Sequence, residues 1–342
     1  MRDVGRRSLA AVCVLVALTG VVAGCGGDDD GTAEEAGSDV RVALVTDIGG
    51  LNDRGFNALA NGGLERAEEE LGVEGRVFIS EAASDYVPNL SRAARDGYDL
   101  IVGVGFLMGD ALASVATQFP ETSFAIVDFP QAALKGAPSN ARGLVFAEQE
   151  AGYLVGVAAA TVADDGAVSA VGGQAVPAVV AFLAGYEAGA KATVASIRVL
   201  EGYSQDFVDQ AKCKELALDQ IAQGAQVIFQ VAGQCGLGAL SAAQEKNVRG
   251  IGVDADQAFL GEHVATSALK KVDEAVFQTV QDVVDGGFNG GEDTIFDVAS
   301  GAVGIGVISP TVPRTAVAEV KRVQEEIADG TISDIPTTVA GS

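Results

Sequence analysis

Residues 47–57 read Asp-Ile-Gly-Gly-Leu-Asn-Asp-Arg-Gly-Phe-Asn and pack a carboxylate, two glycines, a helix-start signal and an aromatic–amide pair into one short loop. A carboxylate accepts hydrogen bonds, an aromatic face stacks on a flat ring, and an amide both donates and accepts, so the set can hold a small polar molecule. Asp53 reads as a helix cap rather than a ligand. Phe56 also begins an apolar helical stripe, so core packing competes with stacking there. Phe124-Ala125-Ile126-Val127-Asp128 ends an apolar run in an acid, and Gly103-Val104-Gly105-Phe106 permits close backbone approach. Val171-Gly172-Gly173-Gln174, followed by Pro177 and Phe182, repeats the plan of the first loop: a strand, two glycines, then a helix with an early aromatic. Plain helix packing is the alternative for Phe182. Residues 227–238 run from a strand into a Gly-rich turn, without the lysine and hydroxyl of a phosphate loop or the glycine spacing of a dinucleotide site. Phe229, inside that strand, reads as core. His263 is the single histidine and reads as a polar loop residue, so a zinc site lacks ligands.

Short runs rich in Val and Ile supply the strands that would place these residues: 40–46, 76–80, 100–104, 123–127, 167–171, 197–200, 227–231 and 248–253. Runs this short, flanked by Gly or Asp, suit strands buried on both faces of a parallel sheet. Between them lie helical patterns. The clearest has Phe56, Leu59, Ala60, Gly63, Leu64, Ala67 and Leu71 on one face and Glu65, Glu68 and Glu69 on the other. Strand and helix in alternation predict doubly wound α/β architecture. A long helical pattern over 148–162 reads as a crossover between lobes. Further helices are predicted over 269–284 and 315–327, the latter after the break at Pro310 and Pro313, with an apolar, Gly-punctuated stretch over 294–308. The length exceeds one comfortable core. The expected fold is the type I periplasmic-binding-protein fold: two lobes joined by a hinge around a cleft, residues 39–147 with 262–288 forming lobe 1, and 148–261 with 289–342 forming lobe 2.

The chain opens with Arg2, Arg6 and Arg7, then an apolar run from Leu9 to Val22 that is too short to span a bilayer comfortably. It ends Val22-Ala23-Gly24-Cys25, which resembles the lipobox of bacterial lipoproteins. The implied signal peptide is 1–24, with Cys25 the lipidated new N-terminus. Residues 25–38 form a polar tether with too little apolar surface to order itself. The 22 Lys and Arg face 47 Asp and Glu, a formal charge of −25, and signal removal takes off three arginines and one aspartate. So acidic a chain is a poor partner for nucleic acid or an anionic membrane surface. Cys213 and Cys235 remain as an even pair in an oxidising compartment. They form a disulfide or stay as two separate buried thiols, since spacing does not fix their distance.

The 47–57 loop resembles the Asp-x-Gly-Gly-x-x-Asp-x-Ser-Phe-Asn signature of the basic membrane protein family, nucleoside-binding lipoproteins of purine nucleoside receptor type. Gly55 stands where that signature has Ser. The Gly-Gly…Pro…Phe-x-x-Gly-aromatic run from Gly172 to Ala190 is similar to the family's second-lobe segment. So are Gly252-Val253-Asp254-Ala255-Asp256-Gln257 and Thr266-Ser267-Ala268-Leu269-Lys270, and the motifs keep their order from Val40 to about Gly306. The resemblance implies Asp47 at ring N–H or amine groups, Phe56 stacked on the base and Asn57 at the base edge. It implies Asp128 at the ligand and Phe182 as the second ring. Gly233 or Gly236 would bring backbone N–H toward the sugar. Asp254 is expected at the ribose hydroxyls and Lys270, or more weakly Lys271, at the sugar side, with Asp254 and Lys270 neutralising one another.

The function so implied is capture of a purine nucleoside and its delivery to the permease of an ABC importer. The binder would be monomeric, lipid-anchored and extracytoplasmic, with no cofactor and no catalysis. A pentose receptor and a ligand sensor on the same fold are the alternatives. A nucleoside hydrolase would gather aspartates for calcium, whereas the acids here are spread over two lobes, with Asp164-Asp165 reading as loop acids.

Overall fold

The computed structural model describes residues 38–163 and 166–339, so the signal segment, Cys25, most of the tether and Asp164-Asp165 lie outside the described residues. In the first lobe β1 (Arg41–Val45), α1 (Phe56–Leu71), β2 (Glu74–Phe78), α2 (Tyr86–Arg95), β3 (Leu100–Gly103), α3 (Gly109–Gln118), β4 (Ser123–Val127) and β5 (Ala141–Phe146) follow in turn. Then α4 (Glu148–Val162) leads into β6 (Ala167–Gly172), α5 (Pro177–Thr193), β7 (Arg198–Tyr203), α6 (Gln210–Ala222), β8 (Ala225–Val231), α7 (Gly233–Lys246), β9 (Arg249–Asp254) and β10 (Val264–Lys270). The tail of the chain carries α8 (Val272–Val284), β11 (Asp293–Phe296), β12 (Val303–Ile305) and α9 (Arg314–Ala328).

Two six-stranded sheets result, ordered β11-β5-β4-β3-β1-β2 and β12-β10-β9-β8-β6-β7. Every described pairing is parallel except β10 with β12. Val42, Ala43, Leu44 and Val45 of β1 are all fully buried, as expected of a strand covered by helices on both faces. In each lobe the order reverses beside the first strand, between β1 and β3 and between β6 and β8. That reversal opens a crevice at the carboxyl ends of the strands.

The lobe boundaries differ from those expected at two places. Residues 264–270, all assigned by pattern to lobe 1 with 269 and 270 opening a helix, form β10 beside β9 in the second sheet. Residues 293–296, assigned to lobe 2, form β11 beside β5 in the first. The Val-Ala-Thr-Ser-Ala-Leu-Lys sequence of β10 is too polar and too rich in Ala to read as a buried run, and the helix expected from residue 269 starts at Val272. β5 escaped notice for a similar reason, since its buried Arg142 interrupts the apolar pattern. That guanidinium is satisfied by Asp282 and by the Asn289 carbonyl at 2.9 Å, both from the returning tail.

Helix α4 is locked to α5 by four glycines. A Cβ on Gly152 would stand 2.2 Å from the Phe182 carbonyl oxygen, and one on Gly156 2.2 Å from that of Tyr186. From the other side, Gly185 and Gly189 would meet the carbonyls of Gln149 and Tyr153 at 2.0 and 2.1 Å. The helices therefore touch backbone to backbone, which sets the positions of Glu148 and Phe182. Gly152→Ala should lower the unfolding free energy by about 1–3 kcal/mol, because the methyl can be admitted only by moving a backbone. Denaturant titration checks this, and the midpoint should fall.

Candidate ligand-binding cleft

The side chains singled out in the sequence come from loops at strand ends. Asp47 follows β1, with Phe56 and Asn57 in the first turn of α1. Asp128 follows β4, Asp254 ends β9 and Lys270 ends β10. Asp128 and Asp254 occupy matching places, each after a valine on the fourth strand of its lobe, and both adopt the left-handed conformation at φ +67° and +62°. Aspartate tolerates that region better than most residues, and the twist turns both carboxylates out of their sheets. Gly233, at φ +55°, starts α7.

Asp47, Phe56, Asn57, Asp128, Phe182, Gly233, Asp254 and Lys270 all line one cleft, open at its mouth. Gly236 is not among its lining residues. The turn expected over 232–238 is already helix from Gly233, and Gly236 faces inward, where a Cβ would lie 1.7 Å from Gln230 Oε1. Cys235 likewise sits in the first turn of α7 rather than in a loop, and its disulfide with Cys213 ties α7 to α6.

Asp53 caps α1, accepting from the backbone N–H groups of Gly55 at 3.1 Å, Asn57 at 2.6 Å and Ala58 at 3.1 Å. This fixes Asn57, whose Oδ1 accepts from the Asp47 N–H at 2.9 Å. The carboxamide NH₂ is thereby left as the donor on the cleft side. Asp47 Oδ1 accepts the Tyr86 hydroxyl and the Ile48 N–H, the latter at 2.7 Å, leaving Oδ2 open. An acceptor and a donor thus stand side by side on the first lobe.

The lysine holds the lobes together. Lys270, 1% exposed, comes from the second lobe and places Nζ 2.5 Å from Asp128 Oδ1 of the first and 2.9 Å from Glu148 Oε1 at the start of α4. Its expected partner, Asp254, forms no such pair, because Asp128 and Glu148 occupy the near side of the ammonium. Nζ also lies 5.2 Å from the ring centre of Phe56, 4.9 Å from that of Phe146 and 5.8 Å from that of Phe182, all within cation–π range. Phe56 and Phe182, from opposite lobes, thus flank one charge. Phe182 is only 2% exposed and stands edge-on to Phe229, so most of its ring belongs to the second lobe's core. Phe207, half-buried on the loop between β7 and α6, also lines the cleft and rests where a Cβ on Gly173 would meet it at 2.3 Å.

Burial dominates the electrostatics. It pushes Asp254 up to about 7 against the pull of Lys270. It raises Asp47 to about 6 against the hydrogen bonds from Tyr86 and Ile48. It raises Glu148 as well, with Lys270 opposing. For Lys270 burial works the other way but is outweighed by Asp128, Glu148 and Asp254, which hold the ammonium above the usual lysine range. Asp254 has no hydrogen-bond donor among the described residues. A Cβ at Gly55, where a serine would begin, lies 3.6 Å from Asp254 Oδ2, so glycine there leaves the carboxylate free to accept.

Pattern reading passed over Glu148, Tyr86 and Phe207. Glu148 and Tyr86 look like ordinary first-turn and core positions of their helices. Phe207 had one usable signal, a large aromatic in the polar run Ser204-Gln205-Asp206-Phe207.

Two parallel α/β lobes meeting around a cleft at their strand ends, crossed by the chain three times, define a type I substrate-binding protein. Residues 40–336 match the Bmp family, described as ABC transporter substrate-binding protein PnrA-like, and the chain belongs to it. Its proteins bind solutes for ABC transporters and are not enzymes. The chain is 34% identical to the ABC transporter nucleoside-binding protein BmpA of Lactococcus lactis, over 96% of this chain and 98% of that one. It is 32% identical to basic membrane protein B of Borrelia garinii, over 80% and 82%. Among solved structures, an ABC transporter solute-binding protein from Aeropyrum pernix superposes with a TM-score of 0.80 at 27% identity, covering 87% of this chain and 94% of that one. One from Conexibacter woesei gives 0.71 at 27% identity, covering 88% and 100%.

Two outcomes follow. Lys270→Met strands buried acids and should cost about 3–5 kcal/mol of stability, measured by denaturant titration. Asp254 and Asp47 have ordinary values of 3.8 and folded values of about 7 and about 6. Between those limits the folded chain keeps protons that the unfolded chain has released, so each group lowers stability as pH rises, by up to about 1.4 kcal/mol per pH unit. The ligand-free melting temperature should therefore be higher at about pH 5 than at about pH 8, and Asp254→Asn should flatten the dependence.

Proposed function

We propose that this protein captures a purine nucleoside between its lobes and delivers it to the permease of an ABC importer, held to the outer face of the membrane by a lipid on Cys25. The observation that carries the reading is the convergence on one cleft of Phe56 from the first lobe, Phe182 and Phe207 from the second, and the Asp47–Asn57 acceptor–donor pair. A flat heterocycle stacked on Phe56 would present an N–H to Asp47 Oδ2 and a ring nitrogen or carbonyl to the Asn57 amide. Of the second-lobe rings, Phe207 has the more open face, so it takes the stacking role and Phe182 closes the end of the chamber. Asp254 and Asp128 accept from the sugar hydroxyls. Lys270 donates on that side, and Gly233 offers backbone at a conformation that keeps side-chain bulk away. Hydroxyl donors supply Asp254 with the hydrogen bonds it lacks among the described residues, favouring its ionised form as the lobes close. The BmpA relative, named as nucleoside-binding, supports the same class of ligand.

Stacking contributes about 1–3 kcal/mol per ring and each hydrogen bond to a charged group about 1.5–3 kcal/mol, before closure and ordering costs are met. Calorimetric titration with inosine, guanosine, cytidine and free ribose tests the reading. Purine nucleosides should bind tightest and ribose weakly; binding of ribose alone would defeat it in favour of a pentose receptor. Phe56→Ala and Phe207→Ala should each weaken inosine binding about tenfold to a hundredfold, and Phe182→Leu by much less.

A further inference from the structure

Behind the cleft, outside its lining, stands Tyr86 at the start of α2, 2% exposed. Its hydroxyl donates to Asp47 Oδ1, the oxygen that also takes the Ile48 N–H. The opposite oxygen, Oδ2, faces Gly105, where a Cβ would fall 2.5 Å away, so the glycine keeps space beside it. We propose that Tyr86, without touching the ligand, is the positioning residue of this site: it occupies one carboxylate oxygen of Asp47 and so reserves the other, in ionised form, for a ligand N–H. The inference rests on the reading that Asp47 meets the nucleoside base.

The surroundings make such a device necessary. Asp47 is buried, and the charged groups nearest it are acids: Asp53 in its own loop and Asp128 from the end of β4. From the second lobe, Asp254 and Lys270 line the same cleft, but the ammonium pairs with Asp128 and Glu148 and not with Asp47. Asp85, next to Tyr86, adds one more negative charge behind the phenol. Desolvation and like charge both favour a protonated Asp47, which would turn an acceptor into a donor and mismatch the base. Against them stand two hydrogen bonds to Oδ1, and only the phenol is a side chain that substitution can remove. A hydroxyl also holds its proton where a cationic partner would draw the carboxylate into a full ion pair and away from the ligand.

Inosine affinity of the full chain is measured by calorimetry from about pH 5 to about pH 8 for the parent, Tyr86→Phe, Asp47→Asn and a form carrying 3-fluorotyrosine at 86. In the parent, affinity should begin to fall near pH 7, as Asp254 gains its proton, and fall further as pH drops through about 6, as Asp47 gains its own; the second limb is the one Tyr86 governs. Tyr86→Phe should move that limb upward by about one pH unit. It would then bind about tenfold more weakly near the acid end and almost normally at about pH 8. The fluorinated ring keeps the hydroxyl and exchanges one ring hydrogen for fluorine, which makes the phenol a stronger donor, and it should move the limb the other way. A Tyr86→Phe curve parallel to or superimposed on the parent's, with Asp47→Asn binding poorly, overturns the positioning role alone. Asp47→Asn binding like the parent at every pH overturns the role of Asp47 and this inference with it.

Discussion

A buried ammonium organises the molecule. Lys270 comes from the last strand of the second lobe's parallel run, Asp128 from a turn of the first lobe, and Glu148 from the first residue of the helix that leaves one lobe for the other. Ions taken out of water are costly unless they are paired and hydrogen-bonded, so these three can be buried together only when both lobes and α4 stand in one arrangement. The rings of Phe56, Phe146 and Phe182 complete the enclosure, and the electrostatic preference of a cation for ring faces draws aromatic groups from both lobes to the same point. The ion cluster therefore acts less as a source of net stability than as a specification of how the lobes meet.

The acids of the cleft divide their work according to their surroundings. Asp53 spends its oxygens on the backbone of α1 and orients Asn57. Asp128 has Oδ1 paired with the lysine. Asp47 has one oxygen tied to Tyr86 and Ile48 and the other open. Asp254 lacks a hydrogen-bond donor among the described residues, and burial has lifted its pKa to about 7, nearer neutrality than that of Asp47. A carboxylate left so poorly compensated is where a neutral, hydroxyl-rich ligand gains most, because each hydroxyl replaces hydration that burial has removed. An anionic ligand would be repelled by the same acids, which carry its own sign.

The two lobes repeat one plan, with the same strand order and a Val-Asp turn in left-handed conformation after each fourth strand. They differ at the helices that meet the hinge. The glycine contacts between α4 and α5 bring those helices to backbone distance and carry Phe182 with them, which explains why that ring is so deeply packed. The loop after β7 has no comparable burden. It is held by the Cys235 N–H to the Phe207 carbonyl at 3.0 Å and by the disulfide that joins α6 to α7, and it leaves Phe207 half-exposed at the cleft.

The sequence by itself determined the α/β class, the two lobes and most of the cleft. Alternating short apolar runs and helical stripes leave little choice of architecture, and in parallel sheets the residues just after strands must face the crevice. That is why Asp47, Asp128 and Asp254 are legible at strand ends, whereas Lys270, whose strand the local pattern hides, is reached only through the family resemblance. Tertiary structure alone decided which acid the lysine takes, that Gly236 packs against Gln230 instead of opening on the cleft, and that residues 264–270 join the second sheet while 293–296 return to the first. Pairing and burial depend on distances between segments remote in sequence. Glu148 lies 122 positions from Lys270, and Tyr86 39 from Asp47. Local pattern carries the periodicity of a strand or helix, and it holds no record of which distant side chain will stand behind it.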